Sequence, residues 1–529
     1  MAAYYQAAAT VREEGEGTRT QPQQGHRVQE YELVGAGSVL HESVASLRSR
    51  SGSMGSPARE QQRQPRGKKI GLAALVVLAF YTVSGGPFGI EDVVRAGGPF
   101  YALAGFSLLL VWAVPEALIT CELSTAMPEA SGSVAWVESA FGPWWAFQKG
   151  YLSWLSGVAD NALYPILFLD CLVELLCAGV AGGATDDAAA LSGCTASDLF
   201  SETGWARWAF LLTATAGLTY LNYRGLDVVT EVAIFICLFS LLPFCIFCIL
   251  GAPKVDPSRW LIAPPGGLSG VDWRLLLNTF FWNVNYWESA ASFSGEVQNP
   301  GTTFPTGIAM AVLLVFLSTF VPILIGTGAS TDPYTLWKDG YFVRLASEIV
   351  GPWLGIWMMA GGAMTMVGMF SAEMSSDAWL VAGMAERGIL PRWLGTRGKY
   401  DTPTYGILLS ACGVVALCWM RFAEVVQLLN LLFCAGQLIE FAAFIELRRS
   451  KPDMPRPYKI PLDTLGACIM VAFPCAFIVI IVSFSSPRGL ALALFVAILG
   501  VPLQRLLELH KVRSPADFLT LRSFIGGDV

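Results

Sequence analysis

Charge is what this sequence has least of. Only 14% of its 529 residues are Asp, Glu, Lys or Arg, against 54% hydrophobic, where a soluble globular domain carries about a quarter charged residues. The deficit excludes a soluble enzyme and points to a polytopic membrane protein. Histidine is nearly absent as well. His26, His41 and His510 all lie outside the apolar segments, so a proton carried through the membrane would have to ride on carboxylates. No nucleophile–base pair and no metal-ligand spacing stands out, which argues against an enzyme and implies no metal and no cofactor. Basic residues are scattered near the ends of apolar segments, so nucleic-acid binding has no support. The N-terminus lacks the apolar run of a cleavable signal peptide.

What is present is hydrophobic length. A helix crosses a ~30 Å hydrocarbon core with about 20 residues. Twelve segments meet that measure: 71–96, 99–124, 143–177, 205–222, 227–251, 272–294, 304–328, 352–384, 403–421, 424–447, 462–484 and 489–508. They predict an all-α membrane protein: a transport core over 68–447, helices 11 and 12 within 448–508, and a C-terminal tail over 509–529. Residues 1–67, rich in Gln, Arg, Ser, Gly and Glu, read as a disordered cytoplasmic tail. Its Ser/Arg cluster at 43–57 is either a phosphorylation region or simply solvated chain.

An even number of spans puts both termini on one side. Lys68 and Lys69 precede the first span, Arg387 and Arg392 follow the eighth, Arg448 and Arg449 the tenth, and Arg505 and Lys511 the twelfth. These fall on one face, which the positive-inside rule makes cytoplasmic. The opposite loop at 178–204 holds Asp186, Asp187, Asp198 and Glu202 and no basic residue. Cys177 and Cys194 could both face that side and pair. The plasma membrane is the expected location, with an internal membrane left open.

Two spans are interrupted. The first contains Ser84, Gly85, Gly86 and Pro87, where small side chains and a missing N–H break the helical ladder. Irregular backbone at membrane depth is tolerated only beside protein or a wet cavity. The bland alternative is a Pro-kinked helix with no ligand. The sixth span runs into Glu288 and breaks up into Ser, Ala and Gly. Two broken segments at matching places in two halves of a membrane protein point to a transporter's binding site, with spans 1–5 and 6–10 as the two halves.

A carboxylate at membrane depth marks a functional site by default. Glu288 is either a structural carboxylate or a proton carrier and counter-ion for a cationic substrate. Glu116, Asp160, Glu373 and Asp377 are also expected at depth, about half of them structural, while Arg95 and Lys149 are expected near span ends. Asp160 is the second substrate-site candidate. Trp282 and Tyr286, flanking the second break, could cover a substrate, an indole face suiting both alkyl chains and amines. The excess of buried acid over base suggests that something positive visits the cavity.

These segments resemble the amino acid–polyamine–organocation transporter superfamily over roughly residues 68–508. The family's Gly-Ser-Gly break reads here Ser84-Gly85-Gly86-Pro87-Phe88, a departure that weakens backbone capture of an amino-acid carboxylate. Its acidic, Lys-Asn-Pro turn after the sixth span reads Glu296-Val297-Gln298-Asn299-Pro300. Gly383–Pro391 looks like its cytoplasmic turn after span 8. More closely, 84–100 and 282–300 look like plant polyamine uptake transporters, polyamine–proton symporters related to L-type amino acid transporters. The resemblance implies a LeuT-type fold, a 5+5 inverted repeat plus two helices. It implies Glu288 in proton coupling or substrate binding, and Trp282 as a gate. The coupling lysine that some relatives carry in span 5 has no counterpart between 227 and 251. The expected function is proton-coupled uptake of putrescine, spermidine and spermine, with substrate, protons and the lipid bilayer as partners. The alternatives are a proton-coupled L-type amino acid transporter and a non-transporting nutrient sensor on the same fold.

Overall fold

The computed structural model describes residues 70–181, 199–200, 204–418, 420 and 422–512. Fourteen α-helices run through them. They are α1 (Leu72–Val83), α2 (Asp92–Ala126), α3 (Ser133–Phe141), α4 (Pro143–Ala181), α5 (Trp205–Tyr223), α6 (Leu226–Gly251) and α7 (Trp273–Val284), followed by α8 (Pro300–Ala329), α9 (Tyr341–Ile349), α10 (Pro352–Glu386), α11 (Thr404–Leu417), α12 (Phe422–Ser450), α13 (Thr464–Phe484) and α14 (Pro487–Val512). Among the described residues the only β pairing is an isolated parallel bridge between Ile70 and Val297. Seven of the helices are long and apolar enough to cross a membrane. The chain is an all-α, multi-pass membrane protein.

Helices stop where the sequence cannot sustain the ladder. α1 ends at Ser84, before Gly85, Gly86 and Pro87, and Gly86 takes φ +89°, a left-handed conformation that costs an L side chain energy. Helix resumes at Asp92. Within α2 the backbone leaves helical geometry at Gly98 (φ +67°) and restarts at Pro99, which the first turn of a helix tolerates. α7 ends at Val284. Asn285 is extended, Tyr286 is left-handed at φ +75°, and the chain then tightens into a 3-10 segment over Trp287–Glu296. That conformation is unusual for a bulky residue and marks a locally strained backbone.

The core lies along α10 and α4, which pack on each other. α6 also lies on α10, and α12 on α4. α3, too short to span, folds beneath α4 and also touches α12. α13 and α14 sit at the periphery with Phe473, Leu494 and Phe495 exposed, as expected of helices that face lipid. Cys177 is disulfide-bonded. Cys194, its expected partner, lies outside the described residues, as do the 43–57 cluster and His26 and His41.

Candidate functional site

The last turn of α7 brings Trp282 to Asp160 of α4. The indole Nε1 donates to Asp160 Oδ1 at 2.9 Å. The hydroxyl of Tyr164, one turn along α4, donates to the other carboxylate oxygen. Gly89, just past the first break, faces the same indole. A Cβ there would stand 3.3 Å from Trp282 Cζ3, so the absent side chain lets the first segment meet the second. In the break itself, the Tyr286 hydroxyl donates to Asn430 Oδ1 of α12 at 2.9 Å, and the Asn430 amide donates to Asn278 Oδ1 at 3.3 Å. Asn285 beside it is fully buried with no hydrogen bond to either polar side-chain atom.

Trp282 and Gly89 form the floor of a vestibule of about 640 Å³. It opens on the face opposite to the one where α1 begins. Asp92, Asp272, Asp339 and Glu424 line it, against Arg95 and Arg274. Carboxylates outnumber guanidiniums two to one, and a cleft lined by one sign of charge concentrates the opposite sign. Asp339 is exposed at the rim. The vestibule walls still strip much of its hydration, and Asp92 adds a like charge, so its carboxyl is pushed up to about 6.

Glu288 lies deeper, and its environment adds a partner the sequence did not suggest. Lys149 lies in the second turn of α4, near the span end as expected, yet its side chain is 0% exposed. Its ammonium pairs with Glu288 and stands 3.3 Å from Glu440 of α12. Ser153, one turn along α4, donates to Glu288 Oε1 at 3.1 Å. Gly436 of α12 lies beside the ammonium, where a Cβ would make ordinary contact at 3.4 Å from Lys149 Nζ. Glu288 therefore has a resident cation. The cavity at its other side, lined by Ser289, Ser292, Ser376 and Asp377, measures about 20 Å³. That holds a single water, not a diamine.

The remaining acids divide by role. Glu116 accepts from the Trp287 amide at 3.1 Å and so caps the 3-10 segment, a structural task. Glu373 and Asp377, one turn apart on α10, lie against Gly157 of α4, where any Cβ would strike both carboxylates. At the first break, Ser84 Oγ accepts from the Gly86 amide at 3.2 Å. Gly85 is pressed against Met369 and Thr365 of α10, and Gly86 against Leu241 of α6. Ser84, Gly85, Gly86 and Pro87 are all buried. Asp160 and Trp282 thus form one cluster beneath the vestibule, and Glu288 belongs to another, deeper one.

The face where α1 begins is tied shut. Ile70 N–H donates to Glu296 O at 3.1 Å and Gln298 N–H to Ile70 O at 2.9 Å, stitching the start of α1 to the end of the 3-10 segment. Arg397 bonds Glu296 at 3.0 Å and reaches Glu386 at 3.5 Å. Arg387 pairs with Glu129 and Glu138. Glu122, fully buried, holds Arg448 and, at 3.1 Å, Arg456.

Ser153, Tyr164, Asn285 and Glu440 escaped the sequence reading, and Lys149 entered it only as a basic residue near a span end. Glu440 carried a visible signal, an acid in the middle of the apolar run Phe433–Phe444. Tyr164 sits one helical turn from Asp160. Lys149 gave no sign of its burial, because its partners Glu288 and Glu440 come from segments far away in the chain.

Comparison with known proteins points one way. A family model described as amino acid permease matches residues 70–501. The chain is 45% identical over 445 residues to "Polyamine transporter RMV1" of Arabidopsis thaliana, covering 83% of this chain and 86% of that one. It is 45% identical over 438 residues to "Polyamine transporter PUT1" of Oryza sativa subsp. japonica, with 83% and 78% covered. A more distant relative, "Arginine/ornithine antiporter" of Latilactobacillus sakei, is 21% identical over 359 residues, 65% of this chain and 70% of that one.

Proposed function

We propose that this chain, which belongs to the amino acid permease family, takes up polyamines together with protons by alternating access. The observation that carries the reading is the acid-lined vestibule of about 640 Å³ floored by Trp282 above Asp160. An amine drawn in by the four carboxylates would reach Asp160, with its methylenes against the indole. Proton coupling fits an interior that holds carboxylates and no histidine. The names of the 45%-identical relatives support the same substrate class.

On this reading the vestibule faces outside, the tied face and both termini face the cytoplasm, and the membrane is the plasma membrane. The protein is then a carrier open outward and closed inward. Glu288 takes part in proton coupling, and Ser84, Gly85, Gly86, Pro87, Asp160, Trp282, Tyr286 and Glu288 surround the substrate path. An L-type amino acid transporter would need donors for an α-carboxylate. The Gly86 amide is already taken by Ser84 Oγ and Pro87 has no N–H, which favours the polyamine. Competition for radiolabelled spermidine uptake tests it: putrescine, spermidine and spermine should compete at far lower concentration than leucine or arginine. Leucine competing as well as spermidine would establish the L-type reading. Absence of uptake by chain present at the cell surface would establish the sensor.

A further inference from the structure

One lysine cannot balance two carboxylates. Lys149, Glu288 and Glu440 come from α4, the 3-10 segment and α12, and none of the three side chains is more than 4% exposed. With both acids ionised, the group carries one uncompensated negative charge in a dry interior, an arrangement that is strongly unfavourable. A proton on one of the carboxylates makes the group neutral. The two acids are not equivalent. Glu288 has Lys149 and the Ser153 hydroxyl bound to it. Glu440 has the ammonium at 3.3 Å and the Glu288 carboxyl beside it, but no hydroxyl or amide donor such as Ser153 gives Glu288.

The charged groups around Glu440 are few. Lys149 faces it from α4, Glu288 from the 3-10 segment and Glu116 from α2. The ionisable residue of α3, Glu138, is turned to Arg387. α7, α13 and α14 also pack on α12 but bring no charged side chain to Glu440 among the described residues. Neighbouring Gln437 is buried and its amide is without a hydrogen bond.

We propose that Glu440 is the residence of the transported proton, and that Lys149 passes its presence to Glu288. The inference rests on the proton-coupled reading above and moves the proton one residue away from Glu288. The step is simple: a proton from the outer side forms one O–H bond on Glu440, and that bond breaks when the proton leaves to the inner side. While it is there, Lys149 belongs to Glu288 alone. When it is gone, the ammonium is shared between two carboxylates. Glu288 is the arm of the triad that lies in the broken helix, and eight residues later the same segment is tied to Ile70 and Arg397.

The test has two arms. In the first, purified full-length transporter without substrate is titrated by infrared spectroscopy. Wild type should show a protonated-carboxyl band component that Glu440→Gln removes and Glu440→Asp shifts in frequency, while Glu288→Asp, which preserves the charge count, leaves it in place. A wild-type band unchanged in Glu440→Gln would overturn the assignment, whatever the substrate proves to be. In the second, spermidine uptake is compared at about pH 5.5 and about pH 7.5. Wild type should be several-fold faster at the lower pH and slowed by a protonophore. Glu440→Gln should bring the two rates within about twofold of each other and remove the protonophore effect, while trans-stimulated exchange persists. Retention of the wild-type pH ratio would overturn the proposal. Should Glu440→Gln not reach the membrane, Glu440→Asp keeps a titratable group in place. Its pH midpoint should move, and an unmoved midpoint counts against Glu440 as the proton site.

Discussion

Glu288 is held by Lys149 and Ser153, so neutralising it does two things. Glu288→Gln removes the partner of a buried ammonium and leaves Lys149 to Glu440 alone. Breaking one side of a buried ion pair costs about 3–5 kcal/mol, part of which Glu440 offsets here. The expected outcome is a loss of spermidine uptake of at least about tenfold, equivalent to ~1.4 kcal/mol, with normal surface abundance. Uptake within about twofold of wild type at acidic and neutral pH would remove Glu288 from the mechanism. Asp160→Asn separates substrates by length. It keeps an acceptor for Trp282 Nε1 but no charge for a terminal amine, so affinity for spermine should fall more than affinity for a monoamine. Equal loss for all substrates would make Asp160 structural. Asp160 and Glu288 were legible because each interrupts an apolar run. That they serve different clusters was not, because sequence carries no depth. Trp282 was legible by its distance from the break, and its bond to Asp160 follows only from how α7 meets α4.

At the scale of elements, the first break is first of all a packing problem. Gly85 lies against Met369 and Thr365 of α10, so Gly85→Val forces overpacking, which costs about 1–3 kcal/mol. The variant should lower both the thermal midpoint and spermidine uptake, and Gly85→Ala should do the same to a smaller degree. A Gly85→Val protein with wild-type stability and transport would mean that this face of the break is loose. Most of the twelve expected segments coincide with long helices because hydrophobic length is local information, whereas 71–96, 272–294 and 403–421 hold helices of only 12, 12 and 14 residues. α3 and α9 were missed because nine-residue helices are specified by what they cover. The tightening of Trp287–Glu296 into 3-10 geometry was hidden for a similar reason. Its Ser- and Ala-rich sequence only announces that the regular helix ends, and Glu116 from α2 caps what replaces it.

For the whole molecule, the proton-coupled reading makes pH act in two opposed ways. On that reading, acid outside supplies the driving proton. It also titrates the vestibule, because Asp339 is pushed up to about 6 by its dehydrating walls and by Asp92. A carboxyl raised to that value is charged above it and neutral below. As external pH falls through about 6, one of the four vestibule carboxylates is lost and the pull on a polycation weakens. The KM for spermidine should therefore rise below about pH 6 while the maximal rate continues to climb. In Asp339→Asn the KM should be higher at neutral pH and nearly flat across that range. A mutant KM that still rises below pH 6 would assign the effect to another group. Replacing sodium by choline at fixed pH and membrane potential should leave uptake unchanged, and its collapse would refute proton coupling.

The lysine shared by two glutamates has a consequence for anyone recombining this protein with its relatives. Its three members arrive on segments far apart in the chain, at positions 149, 288 and 440, yet their charges make sense only as a set. A chimaera that imports one of these segments from a relative with a different charge there would strand an ion in the interior and fail at assembly. Exchanging the three as a block would preserve the balance. Modularity in this carrier is therefore set by electrostatic parity across the fold, and crossover points chosen by loop position alone will cut through it.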